Sequence, residues 1–288
     1  MKVVLFCGGY GMRIRDGITD LPKPMTMVGP RPLLWHVMRF YAHYGHTDFV
    51  LCLGYGAEHI KQYFLDYTET ASNDFVLRGG EIELFGTDIR DWTLTFVHTG
   101  LDSPIGERLR RVRAHVEGDE IFLANYADVL TDLPLNEMID AFRASDAVCA
   151  LTAVPPQVAF HCVEVGDHDR ISSIRTLQQM PLWENGGYLA LRPEIFEHLP
   201  EDGDLIADAC VPLSAQGRVL GYRHRGFWHP ADTPKERTAL EAMYRSGNCP
   251  WMPWTASSTR RRDRLQAAIA GVVGGGPHGG PVRERPGR

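Results

Sequence analysis

The chain has 288 residues, 44% of them hydrophobic and 23% charged, with a formal net charge of -6. That is enough apolar material for one large core or two modest ones, and the charge has the wrong sign for a nucleic-acid partner. No run of about 18 apolar residues occurs, so no membrane span or membrane partner is expected.

Residues 1–7 run straight into glycines and read as a buried strand rather than a signal peptide. The six cysteines, Cys7, Cys52, Cys149, Cys162, Cys210 and Cys249, form no C-x-x-C pair and mostly sit in apolar runs. They read as small core residues of a reduced, cytoplasmic protein.

Residues 3–7 are a short continuous apolar run closed by Gly8-Gly9, the pattern of a buried central strand. Pro32 then opens a helix in which Leu34, Val37, Met38 and Tyr41 recur at helical spacing, with Gly45 as its stop. Residues 48–55 predict a second buried strand and 58–67 a second helix. This alternation predicts an α/β fold with a mostly parallel sheet and helices on both faces. Residues 68–90 predict a loop or short hairpin. Further on, 92–98, 121–124 and 147–154 predict strands, and 107–116 and 136–143 predict helices. Beyond Pro155-Pro156 the pattern is mixed: short strands at 161–165, 172–177 and 188–191, then helices at 205–215 and 235–244. The final stretch, 257–288, is basic and rich in glycine, and is expected to be a disordered tail.

The strongest local signal is Gly8-Gly9-Tyr10-Gly11-Met12-Arg13, directly after the first strand. Loops at the carboxyl ends of such strands are the usual ligand position in open α/β sheets. Glycines bring backbone N–H groups close to phosphate oxygens, and Arg13 adds a permanently charged donor fork. Ile14 occupies the third glycine position of a dinucleotide fingerprint, and no Gly-Lys-Ser/Thr follows, so neither standard nucleotide loop fits. Lys23 lies ten residues on in Leu21-Pro22-Lys23-Pro24-Met25, where two prolines stiffen the backbone that aims it.

With these two motifs the chain resembles the sugar-phosphate nucleotidyltransferase family, and within it the glucose-1-phosphate cytidylyltransferases, over about residues 1–254. Supporting stretches are Pro32-Leu33-Leu34-Trp35-His36, Gly106-Glu107-Arg108-Leu109-Arg110-Arg111, Asn185-Gly186-Gly187 and Gly226-Phe227-Trp228-His229-Pro230-Ala231-Asp232-Thr233. The resemblance implies a Rossmann-like three-layer fold. It has a nucleotide-binding half at about 1–154 and a smaller sugar-phosphate-side half at about 155–254. It implies joining an NTP, CTP in particular, to a sugar 1-phosphate with release of pyrophosphate, assisted by Mg2+, in a homo-oligomer.

By the same resemblance Arg13 meets the leaving pyrophosphate and Lys23 the α-phosphate, while Asp128 and Asp232 hold the metal. Gly8, Gly9, Gly11, Met12, Thr99, Gly106 and Arg108 surround the nucleotide, and Arg175, Glu184, Asn185 and Gly186 the sugar phosphate. Read from the residues alone, Asp128 is a turn residue, Asp232 a helix N-cap, and Asp132 a cap for the next helix.

Three departures from the family pattern stand out. Met12 replaces the threonine of the glycine loop. Ala127-Asp128-Val129 replaces Gly-Asp-Gly. Met180, in Gln178-Gln179-Met180-Pro181, replaces the lysine of a Glu-Lys-Pro segment that holds the sugar phosphate. A charge-assisted contact of that kind is worth about 1.5–3 kcal/mol. The expected acceptor is therefore a modified sugar or cyclitol phosphate, and the competing expectation is a catalytically silent homologue that binds a nucleotide or NDP-sugar.

Overall fold

The structure, a computed structural model, describes residues 1–9, 21–157 and 160–255. Gly11, Met12 and Arg13, and the tail from 257, lie outside the described residues. Residues Met1–Met252 form one compact unit.

Seven strands build the central sheet: β1 (Lys2–Phe6), β2 (Asp48–Leu53), β3 (Thr93–His98), β4 (Phe122–Asn125), β5 (Cys149–Val154), β6 (Glu184–Leu191) and β7 (Val219–Arg223). Their spatial order is β7-β5-β6-β4-β1-β2-β3. Strands β4, β1, β2 and β3 are mutually parallel, β5 is parallel to β7, and β6 runs against both its neighbours. The expected mostly parallel α/β sheet is thus formed, with one reversed strand. That reversal has a positional consequence. The first residues of β6, Glu184 to Gly187, lie beside the carboxyl ends of β4, β5 and β7 on one edge of the sheet.

Burial explains why the strands read as continuous apolar runs. Val4 and Phe6 pack in one cluster with Val50, Cys52, Leu109, Val112, Val116 and Phe122. Val3 and Leu5 are also fully buried, and alternation along a strand sends them to the opposite face. Among the helices, α1 (Leu33–His43) buries eight of its side chains, and Gly45, at φ +84°, closes it as the sequence predicts. α2 (Ala57–Leu65) follows β2, α3 (Ile105–Arg111) follows β3, and α4 (Leu135–Arg143) and α5 (Pro234–Ser246) come later. No helix of the described residues is long and apolar enough to cross a membrane.

The helix predicted over 107–116 differs from its expected form, while the hairpin foreseen in 68–90 is formed. The single helix expected over 107–116 breaks at Val112, which leaves helical geometry at φ -103° and ψ 6°, and resumes as Arg113–Val116. The break keeps Val112 and Val116 in the core together. The stretch 68–90 contains a hairpin, Phe75–Arg78 with Glu81–Leu84, turned by Gly79 and Gly80 at positive φ.

That stretch is tied down by a buried ion pair that nothing in the sequence singles out. Arg31 Nη2 lies 3.5 Å from Asp88 Oδ2, with both side chains under a tenth exposed. The Arg31 guanidinium also donates to Ser72 Oγ and to the Thr68 carbonyl, and lies 4.1 Å over the Tyr67 ring. Asp88 accepts from Tyr67 and Ser72. Removing one member leaves a buried charge without its partner, at a cost of about 3–5 kcal/mol. Asp88→Ala should lower the urea midpoint accordingly. A loss under about 1 kcal/mol would mean that this pair behaves like an exposed one.

Candidate active site

The carboxyl ends of β1 and β4 and the turn before α5 converge on one point. Lys23, flanked by Pro22 and Pro24 at the start of a short 3-10 turn, Lys23–Met25, donates from Nζ to Asp128 Oδ2 at 2.6 Å and also to Asp232 Oδ1. Three segments far apart in sequence thus meet in a carboxylate–ammonium–carboxylate arrangement. Lys23 is mostly buried, and Asp128 and Asp232 are half-buried.

Burial pushes the Lys23 ammonium down, but Asp128 and Asp232 more than reverse this and hold it above the ordinary lysine value. It is therefore charged through the neutral range. Any stability it contributes is present below the ordinary lysine range and is lost only as pH rises through its raised pKa. Burial raises Asp128, and Lys23 pulls it back.

Local structure explains how each acid is presented. Ala127 sits in the left-handed region at φ +61°, where an L side chain costs about 1–2 kcal/mol. Asn125 Oδ1 secures that turn by accepting from Ala127 N at 2.6 Å. The strain turns Asp128 out of the sheet toward Lys23. Next to it, Val129–Thr131 pairs antiparallel with Trp228–Pro230. The Asp128 carbonyl accepts from Ala231 N at 3.1 Å, which fixes Asp232 beside it.

Asp232 is not the cap of α5. Thr233 is, accepting from Glu236 N at 3.2 Å, while Glu236 accepts from the backbone N–H groups of Asp232 and Thr233 in a capping box. The Asp232 carboxylate is thereby free for Lys23. Asp132 does not cap the next helix either. Its Oδ1 pairs with His224 Nε2 at 3.0 Å, and Pro134 stands at the N-cap of α4.

Gly8 closes the carboxyl end of β1 with no room for a side chain. A Cβ there would lie 2.2 Å from Arg108 Nη1 and 2.6 Å from Gly54 N. Gly9 is exposed beside it. Arg108 is buried and has its donors engaged: Nε with Ser103 O, Nη1 with Thr99 Oγ1 and Nη2 with Leu101 O, at 2.9–3.0 Å. Thr99, fully buried, donates in turn to Leu53 O. Arg108 and Thr99 thus hold the ends of β2 and β3 together beside the glycine turn. Gly106 faces elsewhere: a Cβ there would lie 2.4 Å from Gly203 O, so this glycine permits close packing of α3.

On the other side, Asn185 reaches across to β4, donating to Tyr126 OH at 3.1 Å and accepting from Gly187 N. Gly186 is buried, its carbonyl accepting from Trp228 Nε1 at 2.8 Å. Glu184 is half-buried at the start of β6. These three share the sheet edge with Asp128. Arg175 is placed apart from them, on a separate hairpin of His161–Val165 with Ile171–Thr176, where its guanidinium pairs with Glu164.

Sequence reasoning passed over Asn125 and Tyr126. The only available signal was an asparagine just past an apolar run, a common turn residue. No group of three or more His, Cys, Asp or Glu suited to a metal occurs among the described residues. Two convergent carboxylates already holding a cation are nonetheless a donor set that suits Mg2+, which takes one or two carboxylates plus substrate phosphates.

No protein-family profile matches the chain. Over 260 residues the chain is 33% identical to glucose-1-phosphate cytidylyltransferase of Salmonella typhimurium, covering 88% of this chain and 100% of that protein. It is 34% identical over 261 residues to a probable glucose-1-phosphate cytidylyltransferase of Bacillus subtilis, again 88% and 100%. Among solved structures, UDP-glucose pyrophosphorylase from Acinetobacter baumannii superimposes with a TM-score of 0.61 at 18% identity, covering 84% of this chain and 92% of that one. This last likeness is one of fold.

Proposed function

The chain belongs to the sugar-phosphate nucleotidyltransferase family, as a relative of the glucose-1-phosphate cytidylyltransferases, and we propose that it joins CTP to a modified sugar or cyclitol phosphate, releasing pyrophosphate. The observation that carries this reading is the convergence of Asp128 and Asp232 on Lys23 at the carboxyl edge of the sheet.

The reaction breaks the bond between the α- and β-phosphates of the NTP while a sugar-phosphate oxygen forms a new bond to the α-phosphorus. Such chemistry needs positioning and charge neutralisation more than a proton carrier. Asp128 and Asp232 would hold Mg2+, which when bound supplies positive charge to the phosphates. Lys23, then freed from the carboxylates, is placed to meet the α-phosphate. Gly8 and Gly9 offer backbone N–H groups to the phosphates, and Arg13 takes the pyrophosphate end. Arg108 acts as a positioning residue, because its donors are spent on Ser103, Thr99 and Leu101 next to Gly8. Asn185 and Glu184 face the acceptor. The exposed apolar side chains Val163, Val165, Ile171 and Ile174 on one hairpin support self-association.

The test is Mg2+-dependent pyrophosphate release with each common NTP against a panel of sugar 1-phosphates and cyclitol phosphates. Release should be fastest with CTP and slow or absent with glucose 1-phosphate. Fast turnover of glucose 1-phosphate would contradict the modified acceptor. Silence across the panel with nucleotide binding intact would favour the silent homologue, which Met12, Val129 and Met180 motivate.

A further inference from the structure

Several arginines of the described residues have an acidic partner, among them Arg113 with Glu117, Arg175 with Glu164 and Arg218 with Glu194. Arg223 and Arg225 are both exposed, and among the described residues no carboxylate pairs with either. What holds them is one indole. Their guanidinium carbons lie 5.5 and 4.7 Å from the centre of the Trp183 ring.

The strand explains the arrangement. His224 N bonds to Ala153 O at 2.8 Å, so the β7 ladder continues past Arg223. Alternation then sends Arg223 and Arg225 to one face and His224 to the other. There His224 is buried and paired with Asp132, which pins the segment. Stacking on an aromatic face restricts a guanidinium while leaving its N–H fork free. Two like charges held on one ring repel each other until an anion joins them.

Their place limits what that anion can be. Arg223 registers with Ala153, and Ala153 with Asn185, so the pair stands on the sheet edge that carries Asn185, two strand spacings away, or about 10 Å. The strand carrying Arg223 stands three strand spacings from β4, whose carboxyl end leads to Asp128, which puts the pair on the order of 14 Å from Asp128. That is too far to touch a phosphate at Lys23. It suits a group at the opposite end of a hexose-sized acceptor, reached by an arginine side chain.

We propose that Arg223 and Arg225, stacked on Trp183, clamp a second anionic group of the acceptor, a carboxylate or second phosphate remote from the reacting phosphate. The proposal rests on the sugar-phosphate reading above and names the acceptor class: acidic sugar or cyclitol phosphates.

The experiment compares glucuronic acid 1-phosphate, glucose 1,6-bisphosphate and glucose 1-phosphate with wild type, the Arg223→Gln/Arg225→Gln variant and the Arg223→Lys/Arg225→Lys variant. Both kcat/KM for pyrophosphate release and calorimetric binding beside a non-hydrolysable CTP analogue are measured. Wild type should prefer at least one acidic acceptor over glucose 1-phosphate by about 10–100-fold, the range expected of a charge-assisted contact, and the acceptor preferred tells carboxylate from phosphate. The glutamine variant should bring that ratio close to one, and the lysine variant should keep part of it. A purely structural role would lower all three acceptors together, and that result overturns the clamp, as does equal use of all three by wild type. If no acceptor releases pyrophosphate while the arginine-dependent preference persists in binding, the reaction falls and the clamp stands.

Discussion

Asp128→Asn should lower kcat for pyrophosphate release by on the order of 10³-fold, or about 4 kcal/mol of transition-state stabilisation. Asparagine has nearly the same shape and keeps an oxygen for Lys23, so the folded state should survive with a small change in melting temperature. It lacks the second charged oxygen that a hard divalent cation needs. Asp232→Asn should behave alike, because the two carboxylates meet one cation. Because both side chains serve one site, the double variant should be little worse than either single one. A variant within tenfold of wild type would place the metal elsewhere.

Lys23→Met should separate two effects of the same ammonium. In the structure Lys23 occupies the point on which both carboxylates converge. A divalent cation entering there must displace it, so removing the charge should tighten Mn2+ binding to the nucleotide-free protein by about 10-fold or more, the worth of one charge-assisted contact. Turnover should nonetheless fall by about 10²–10³-fold, because the α-phosphate loses a pre-aimed charge in a site where such groups act strongly. Tighter metal with slower chemistry is the expected signature. Weaker metal binding would mean that Lys23 supports the carboxylates rather than competing for them.

Much of the fold was legible because the inner strands of the central sheet are buried on both faces. Residues 3–7 read as a strand from apolar content alone, and Val3, Val4 and Leu5 are fully buried. Local chemistry also gave the stop of α1 at Gly45. Features that depend on distant partners were not legible. Asp132 looks like a helix cap until His224, 92 residues on, is placed beside it. Asp232 looks like a cap until Thr233 takes that place with a complete capping box. Arg108 stands among arginines at helical spacing, and only the fold shows its donors spent on Ser103, Thr99 and Leu101. Ala127 is the instructive case. Alanine stands where the family has glycine, and the structure keeps the turn at positive φ by recruiting Asn125.

The central claim is that Asp128 and Asp232 form the metal-holding pair of a nucleotidyltransferase. It is tested most directly by titrating Mg2+ into wild-type protein with CTP and an accepted sugar or cyclitol phosphate while following pyrophosphate. The account predicts no release in chelator, a saturable rise with Mg2+, and full recovery when metal is restored. Release that proceeds unchanged in chelator would contradict it.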